Sequence, residues 1–394
     1  MTPVDVLVVG AGPAGAAAAL TAARLGRSVV VCDRAEFPRD KTCGDGLTTQ
    51  ALRLLECLGV RRDELVDAGY MPVTEAVLVG PGGREIRLPL PTDGDCAGVV
   101  PREGFDALLV RHALAAGVDV RQGCAVDDVV IGADGVKVGL ADGSTIEARH
   151  LLAADGHWSP VRRALHPDAP PNLGTWHGVR QYYDGIDDPR LWTFFYEDLL
   201  PGYAWIFPLP GGGANVGFVV RRAGRKGREL RDLWPDVLAR LPLGPHAVPR
   251  GPMRAWPIPT EYDAANLTDG PVLYIGDAAQ VVDAMTGEGI AQAIETGVLA
   301  AEAIAAGGTV DAVADRYTRA VDRALGRDLR FAMRLQRLLA RPLGARLSFG
   351  AVDLMPWTRR NFGRWLFEGY PRALLLTPDR WRRDMFTSPG AYSV

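Results

Sequence analysis

The apolar run VDVLVVG, Val4 to Gly10, is short, β-branched and almost unbroken, which predicts a buried strand. PAGAAAALTAARLG, Pro13 to Gly26, then carries a proline at its start and a glycine past its end, the punctuation of a helix. SVVVC, Ser28 to Cys32, supplies a second buried strand, so the first elements form a β–α–β unit. Further on the period shortens. PGG at Pro81 to Gly83 separates TEAVLVG from REIRLPL, and ADG at Ala133 to Gly135 and at Ala141 to Gly143 separates three more short runs, so hairpins are expected at both places. Alanine-rich helical patterns cover Gly104 to Ala116, Gly289 to Ala306 and Asp311 to Leu325. Between them, Leu173 to Tyr262 is rich in Trp, Tyr, Phe and Pro with alternating runs such as LWTFFY and ANVGFVV, the pattern of an antiparallel sheet. From Arg327 onward the tail is basic and apolar and holds Trp357, Trp365 and Trp381.

At 394 residues the chain is too long for one compact core and suits two domains with a helical tail. Its 47% apolar and 23% charged residues exclude disordered and fibrous classes. A net charge of −3 leaves no basic footprint, so nucleic acid is not an expected partner. There is no charged n-region of a secretion signal and no apolar run of about 18 residues, and a cytoplasmic protein is expected. The five cysteines, Cys32, Cys43, Cys57, Cys96 and Cys124, show neither C-x-x-C nor His/Cys spacing, so no disulfide framework and no metal site are expected.

Three signals follow one another in a telling order. In GAGPAG, Gly10, Gly12 and Gly15 follow a strand and open a helix: Gly10 for the tight turn, Gly12 for close approach of a pyrophosphate, Gly15 for helix–strand packing. Asp33 stands eighteen residues after Gly15 at the end of the second strand, where a carboxylate can accept from both ribose hydroxyls. LLAADGHWSPVRR ends a strand in Asp155-Gly156, and VLYIGDAAQVVDAMTGEGI ends one in Gly276-Asp277 before Gly287 and Gly289 open another helix. A carboxylate at such a strand end can hold a sugar or ribityl hydroxyl, and the helix start favours negative charge on a reduced isoalloxazine.

With these motifs the chain resembles the two-domain flavoproteins related to aromatic hydroxylases. Within them FPRDKTCGDGLT (Phe37 to Thr48), VVPREGFDALLV (Val99 to Val110), GYAWIFPL (Gly202 to Leu209) and TGEGI (Thr286 to Ile290) look like the geranylgeranyl reductase branch, over Val4 to about Leu325. The resemblance implies an α/β plus antiparallel β fold. A discontinuous Rossmann-type FAD domain would comprise 1–70, 98–170 and 268–326, a β-sheet substrate domain 71–97 and 171–267, and a helical tail 327–394. FAD contacts are expected from Gly10, Gly12, Pro13, Ala14, Gly15, Asp33, Arg34, Arg39, Lys41, Cys43, Gly44, Arg102, Asp155, Gly276, Asp277, Gly287, Gly289 and Ile290. Arg102 would lie along the FAD, the alternative being a helix-entry arginine in a surface pair. Relatives often have Pro-Arg where this chain has Thr49-Gln50, and proline where Ala284 stands; the tail after Arg327 matches no pattern.

The implied reaction is reduction of a carbon–carbon double bond in a small apolar substrate, an isoprenoid or a natural-product intermediate, with electrons from NAD(P)H or ferredoxin. A flavin monooxygenase, dehydrogenase or halogenase is the alternative. Glycines at 44 and 46 permit positive φ and close approach of the loop to a planar ring, which a side chain would block. Cys43 would position substrate or donate a proton, or else be a small packed thiol. Tyr203, Trp205 and Phe207 alternate on one strand face, with Pro208 ending the strand; they would wall a substrate cavity together with Gly46, or close a sheet core. Cys43 and Tyr203 are the candidate catalytic proton donors. The arginine-rich stretch Leu329 to Leu347 is either a helix packed on the protein or a peripheral membrane contact.

Overall fold

A computed structural model describes residues 3–222, 227–367, 373, 381 and 388–393. Five parallel strands lie in the order Val272–Tyr274, Thr145–Ala153, Val4–Val9, Val29–Cys32 and Asp119–Arg121. Their neighbours are consecutive only through crossovers, as parallel pairing requires. The hairpin Val126–Gly132 and Gly135–Leu140 extends this sheet from Thr145–Ala153, turning at the two ADG sequences. Helices Pro13–Arg24 and Ile290–Ala305 pack tightly because Gly297 leaves room: a Cβ there would lie 2.3 Å from the Ala14 carbonyl oxygen.

A second, seven-stranded sheet runs Val248–Ile258, Trp176–Asp184, Gly213–Arg221, Tyr203–Leu209, Leu191–Phe194, Glu75–Val79 and Glu85–Pro89. It departs from the expected antiparallel sheet at one place. Leu191–Phe194 pairs parallel with Glu75–Val79, because that hairpin comes from a separate segment of chain and no short turn joins the two strands. Pro208 does not end its strand either. The strand continues to Leu209, since the neighbour Leu191–Phe194 pairs only as far as Ile206 and asks for no N–H at Pro208. A small third sheet, Gly46–Thr48, Ala97–Val99 and Met71–Pro72, joins the loop after residue 37 to the chain entering and leaving the Glu75–Pro89 hairpin.

Among the described residues the tail forms three helices, Arg327–Leu339, Pro342–Val352 and Pro356–Phe367. Phe349 drops onto Gly80, where a Cβ would be 2.9 Å from its ring, and meets Phe195 edge-on at 4.9 Å. Gly363 faces Leu88 and Leu90. The tail therefore roofs the outer end of the second sheet. Among the described residues no helix is long and apolar enough to cross a membrane.

Candidate active site

The nucleotide-facing end lies where the parallel strands stop. Gly10 has φ +100° and donates its N–H to the Cys32 carbonyl at 2.8 Å; a Cβ would meet the Ala154 oxygen at 2.3 Å. A Cβ on Gly15 would lie 1.8 Å from the Gly10 oxygen, so the turn and helix close on each other. Gly12 is different. Its Cβ would meet nothing nearer than Arg39 Nη2 at 3.7 Å and Arg102 Nη2 at 3.9 Å, ordinary contact distances, so two guanidiniums stand beside the glycine turn. Pro13 and Ala14 start the helix there with no side-chain cap, leaving its first N–H groups free for an anion.

Asp106, fully buried, holds both arginines: Arg102 donates to it twice at 2.7 Å, and Arg39 pairs with it at 2.7 Å. One carboxylate against two guanidiniums leaves net positive charge, the sign a pyrophosphate needs. Arg102 is thus buried and faces inward, not part of a surface pair. Asp33 takes the Ala11 N–H on Oδ2 at 2.7 Å and the Ala35 N–H on Oδ1 at 2.8 Å, keeping one lone pair on each oxygen. Arg34 beside it is exposed, and Arg39 is the cation that reaches the turn.

Asp155 accepts on Oδ2 from the Ser159 hydroxyl and the Val161 N–H, both at 2.9 Å, while its buried Oδ1 has no protein partner among the described residues. Burial pushes this carboxyl up to about 6. Gly276, at φ +60°, turns the next strand into Asp277, and Gly289 brings the start of Ile290–Ala305 close: its Cβ would be 3.7 Å from Asp277 Oδ1. Asp283 folds the intervening loop through Gly287 by accepting the Met285 N–H at 2.9 Å, the Thr286 N–H at 2.8 Å and the Thr286 hydroxyl at 3.0 Å. A glycine turn facing two arginines, a carboxylate with free lone pairs and a buried unpartnered carboxylate oxygen fit a dinucleotide with a polyhydroxyl arm.

Residues 37–49 cross from this end to the second sheet and are pinned there by polar contacts. Asp40 pairs with the buried Arg180 and with Arg254 Nε at 2.9 Å. Asn215, fully buried, donates to the Cys43 carbonyl and to Asp45 Oδ2, both at 2.8 Å, and accepts from Trp205 Nε1 at 3.0 Å. Tyr182 donates to Asp45 Oδ2 at 2.7 Å, and Thr48 donates to Glu288 at 2.5 Å. The left-handed residue here is Asp45, at φ +64°, and not Gly44 or Gly46. The two glycines are small for another reason: Cβ atoms on them would lie 3.4 Å and 3.7 Å from the Phe207 ring, so the planar ring they approach in the protein is Phe207. Lys41 lies over the Trp256 ring at 3.9 Å, and burial pushes its amine down to about 8 against the pull of Asp277. The Cys43 thiol sits beside the Arg102 guanidinium, yet burial raises it, so it is a protonated thiol and a weak nucleophile at neutral pH.

A cavity of about 280 Å³ opens against this loop. Cys43 through Thr48 form one wall, Tyr203, Trp205 and Phe207 a second, Met285 through Ile290 a third, and Leu335, Phe349 and Trp365 of the tail the roof. Trp205 lies flat because Gly217 is beneath it, where a Cβ would be 2.3 Å away; Tyr203 and Phe207 flank it with ring centroids at 6.1 and 5.8 Å. Trp205 also packs with Trp176 and Val219, so one side chain serves cavity and core. The Tyr203 hydroxyl donates to the Thr286 carbonyl, and burial raises it further. Asp45, Tyr182, Asn215 and Asp283 were not singled out from the sequence. The signals were faint: an Asp between two glycines, which tolerates the left-handed region, and a lone Asn inside the apolar strand ANVGFVV.

Comparison with known proteins agrees with this geometry. Residues 3–325 match the family of the FAD binding domain. Menaquinone reductase of Mycolicibacterium smegmatis is 34% identical over 372 residues, covering 86% of each chain. Digeranylgeranylglycerophospholipid reductase 2 of Methanopyrus kandleri is 30% identical over 369 residues, covering 85% of this chain and 86% of its own. A geranylgeranyl bacteriochlorophyll reductase-like structure from Thermoplasma acidophilum superposes with a TM-score of 0.81 at 22% identity, over 96% of this chain and 99% of that one. The protein is an FAD-dependent oxidoreductase. It belongs to the geranylgeranyl reductase family of these flavoproteins.

Gly12 separates folding from cofactor binding, because protein atoms leave its Cβ position open. Gly12→Val should unfold within a few degrees of wild type yet hold FAD at least tenfold more weakly, read as bound flavin absorbance per protein after dialysis. Loss of the fold together with the flavin, or full flavin occupancy, would contradict the placement of the pyrophosphate between this turn and Arg39 and Arg102.

Proposed function

We propose that the protein reduces carbon–carbon double bonds of an isoprenoid or comparably apolar substrate. The observation that carries this reading is the cavity walled by the Cys43–Thr48 loop, an aromatic strand face and the start of Ile290–Ala305, and roofed by the apolar tail. Relatives named for reduction of menaquinone and of a digeranylgeranyl lipid support it. FAD, when bound and reduced by NAD(P)H or ferredoxin, supplies the hydride equivalent. Residues 1–70, 98–170 and 268–326 serve as the FAD domain, 71–97 and 171–267 as the substrate domain, and 327–394 as the tail.

The residues take these parts. Gly10 through Gly15 with Arg39 and Arg102 take the pyrophosphate, Asp33 the ribose, and Asp155 and Asp277 the sugar and ribityl hydroxyls. Gly289 and Ile290 present backbone N–H groups at a helix start, where negative charge is stabilised, and Gly287 shapes the turn before them with its own N–H donated to the Asp283 carbonyl. Gly46, Tyr203, Trp205 and Phe207 orient the alkene. An isolated alkene accepts hydride poorly, so excluding water and delivering a proton in the same site are what the cavity contributes.

The tail also presents apolar side chains outward: Leu343 is 70% exposed, Leu354, in the turn between two of its helices, 71% and Trp357 63%. Arg334, Arg337 and Arg341 of the same tail are exposed as well. We infer that this face rests on an anionic lipid surface, charge complementing charge, with the cavity on its inner side.

Holoenzyme reduced anaerobically with dithionite should reoxidise on mixing with a menaquinone carrying an unsaturated polyprenyl chain or with geranylgeranyl diphosphate, giving a product whose polyprenyl chain is heavier by two hydrogens once air has returned the quinone ring to its oxidised form. Reoxidation that needs oxygen, with substrate gaining oxygen or halogen, would overturn the reductase reading. At low salt the protein should sediment with phosphatidylglycerol vesicles and Leu343→Asp/Trp357→Asp should halve the bound fraction or more; a protein left wholly in the supernatant ends the membrane assignment.

A further inference from the structure

Two candidate proton donors are poorly disposed for the task. The Tyr203 hydroxyl is engaged with the Thr286 carbonyl, and the Cys43 thiol leans on the Arg102 guanidinium. Asp45 is better placed. It is fully buried, lines the cavity, and its Oδ1 has no hydrogen-bond partner among the described residues.

The hydrogen bonds around Asp45 fix where its proton resides. Trp205 Nε1–H donates to Asn215 Oδ1, so the Asn215 amide must present its NH₂ side to the loop. That NH₂ spends one hydrogen on the Cys43 carbonyl and the other on Asp45 Oδ2, which also receives the Tyr182 hydroxyl. With two donors on Oδ2, a protonated Asp45 carries its hydrogen on Oδ1, the oxygen with no partner among the described residues. We propose that Asp45 is the proton donor of the reduction, its Oδ1–H transferring to one alkene carbon as the other receives hydride. This rests on the alkene-reduction reading. The π bond breaks, two C–H bonds form, the reduced flavin gives up two electrons, and the Asp45 carboxylate left behind regains its proton from solvent.

Burial holds the Asp45 carboxyl up at about 6, against the lowering pull of Tyr182, Arg180, Asn215 and Arg102; Cys43 beside it is a neutral thiol. An apolar substrate filling the cavity removes further water and favours the protonated acid. Asp45 therefore titrates between its unfolded value and about 6: its contribution to folding is fully present at low pH and is lost as pH rises through that range.

Asp45→Asn tests this, since Asn keeps the shape, tolerates the left-handed backbone and still accepts from Tyr182 and Asn215 through its oxygen. Addition of two hydrogens to the polyprenyl chain of the menaquinone by the reduced variant should fall by about a hundredfold or more, while flavin content and dithionite reduction stay as in wild type. Independently of any substrate, the melting temperature of Asp45→Asn relative to wild type should climb by several degrees between about pH 4 and pH 7. A variant that reduces the alkene within fivefold of wild type, or a melting difference flat with pH, overturns the assignment. Wild-type enzyme that reduces neither probe sinks the function reading beneath it, whereas the pH series still reports on the proton of Asp45.

Discussion

The arrangement depends on the buried hydrogen bonds that Asn215 makes at the junction between residues 37–49 and the second sheet. Asn215 stands at its centre with no exposed surface and three hydrogen bonds. Leaving any one of these groups unpaired costs on the order of 1–3 kcal/mol. The loop therefore has one low-energy seat. Because the same dozen residues carry Arg39 and Lys41 at one end and Cys43 and Asp45 at the other, seating the loop also fixes the spacing between the nucleotide end and the cavity.

Packing and electrostatics follow from that seat. Gly44, Gly46 and Gly217 are small so that Phe207 and Trp205 can lie against the loop and strand, and Gly297 lets the two helices beneath the cofactor end close up. Arginine charge is concentrated by burial: Asp106 cancels half of what Arg39 and Arg102 bring and leaves the remainder facing the glycine turn. Around the cavity the balance is reversed. Burial there holds the carboxyl of Asp45 in its neutral form to higher pH and keeps the thiol of Cys43 protonated, and burial does the same to the carboxyl of Asp155 at the nucleotide end.

Much of this was legible in the sequence, and the remainder was hidden for identifiable reasons. Strand–helix periodicity and GAGPAG are local signals, so the parallel sheet, the hairpins at PGG and ADG and the glycine turn could be read directly. The parallel pairing of Leu191–Phe194 with Glu75–Val79 joins segments more than a hundred residues apart, and no local pattern encodes it. The sequence marks Gly44 and Gly46 as places where the loop can approach a planar ring, but that the ring beside them in the protein is Phe207 is set by tertiary packing, and the positive φ falls on Asp45 instead. Asp45, Tyr182 and Asn215 acquire meaning only through one another. Singly they read as a turn residue, an aromatic in a strand and an oddity; together they orient a proton.

Amide hydrogen exchange over residues 37–49 in Asn215→Ala measures the junction most directly. Losing the Asn215 hydrogen bonds should speed exchange of that loop by about ten- to a hundredfold, while the strands Val4–Val9 and Thr145–Ala153 keep their protection and FAD stays bound. Loop exchange equal to wild type would contradict the claim that these buried contacts seat the loop, and equal acceleration throughout both sheets would show that Asn215 supports the fold at large and not the site.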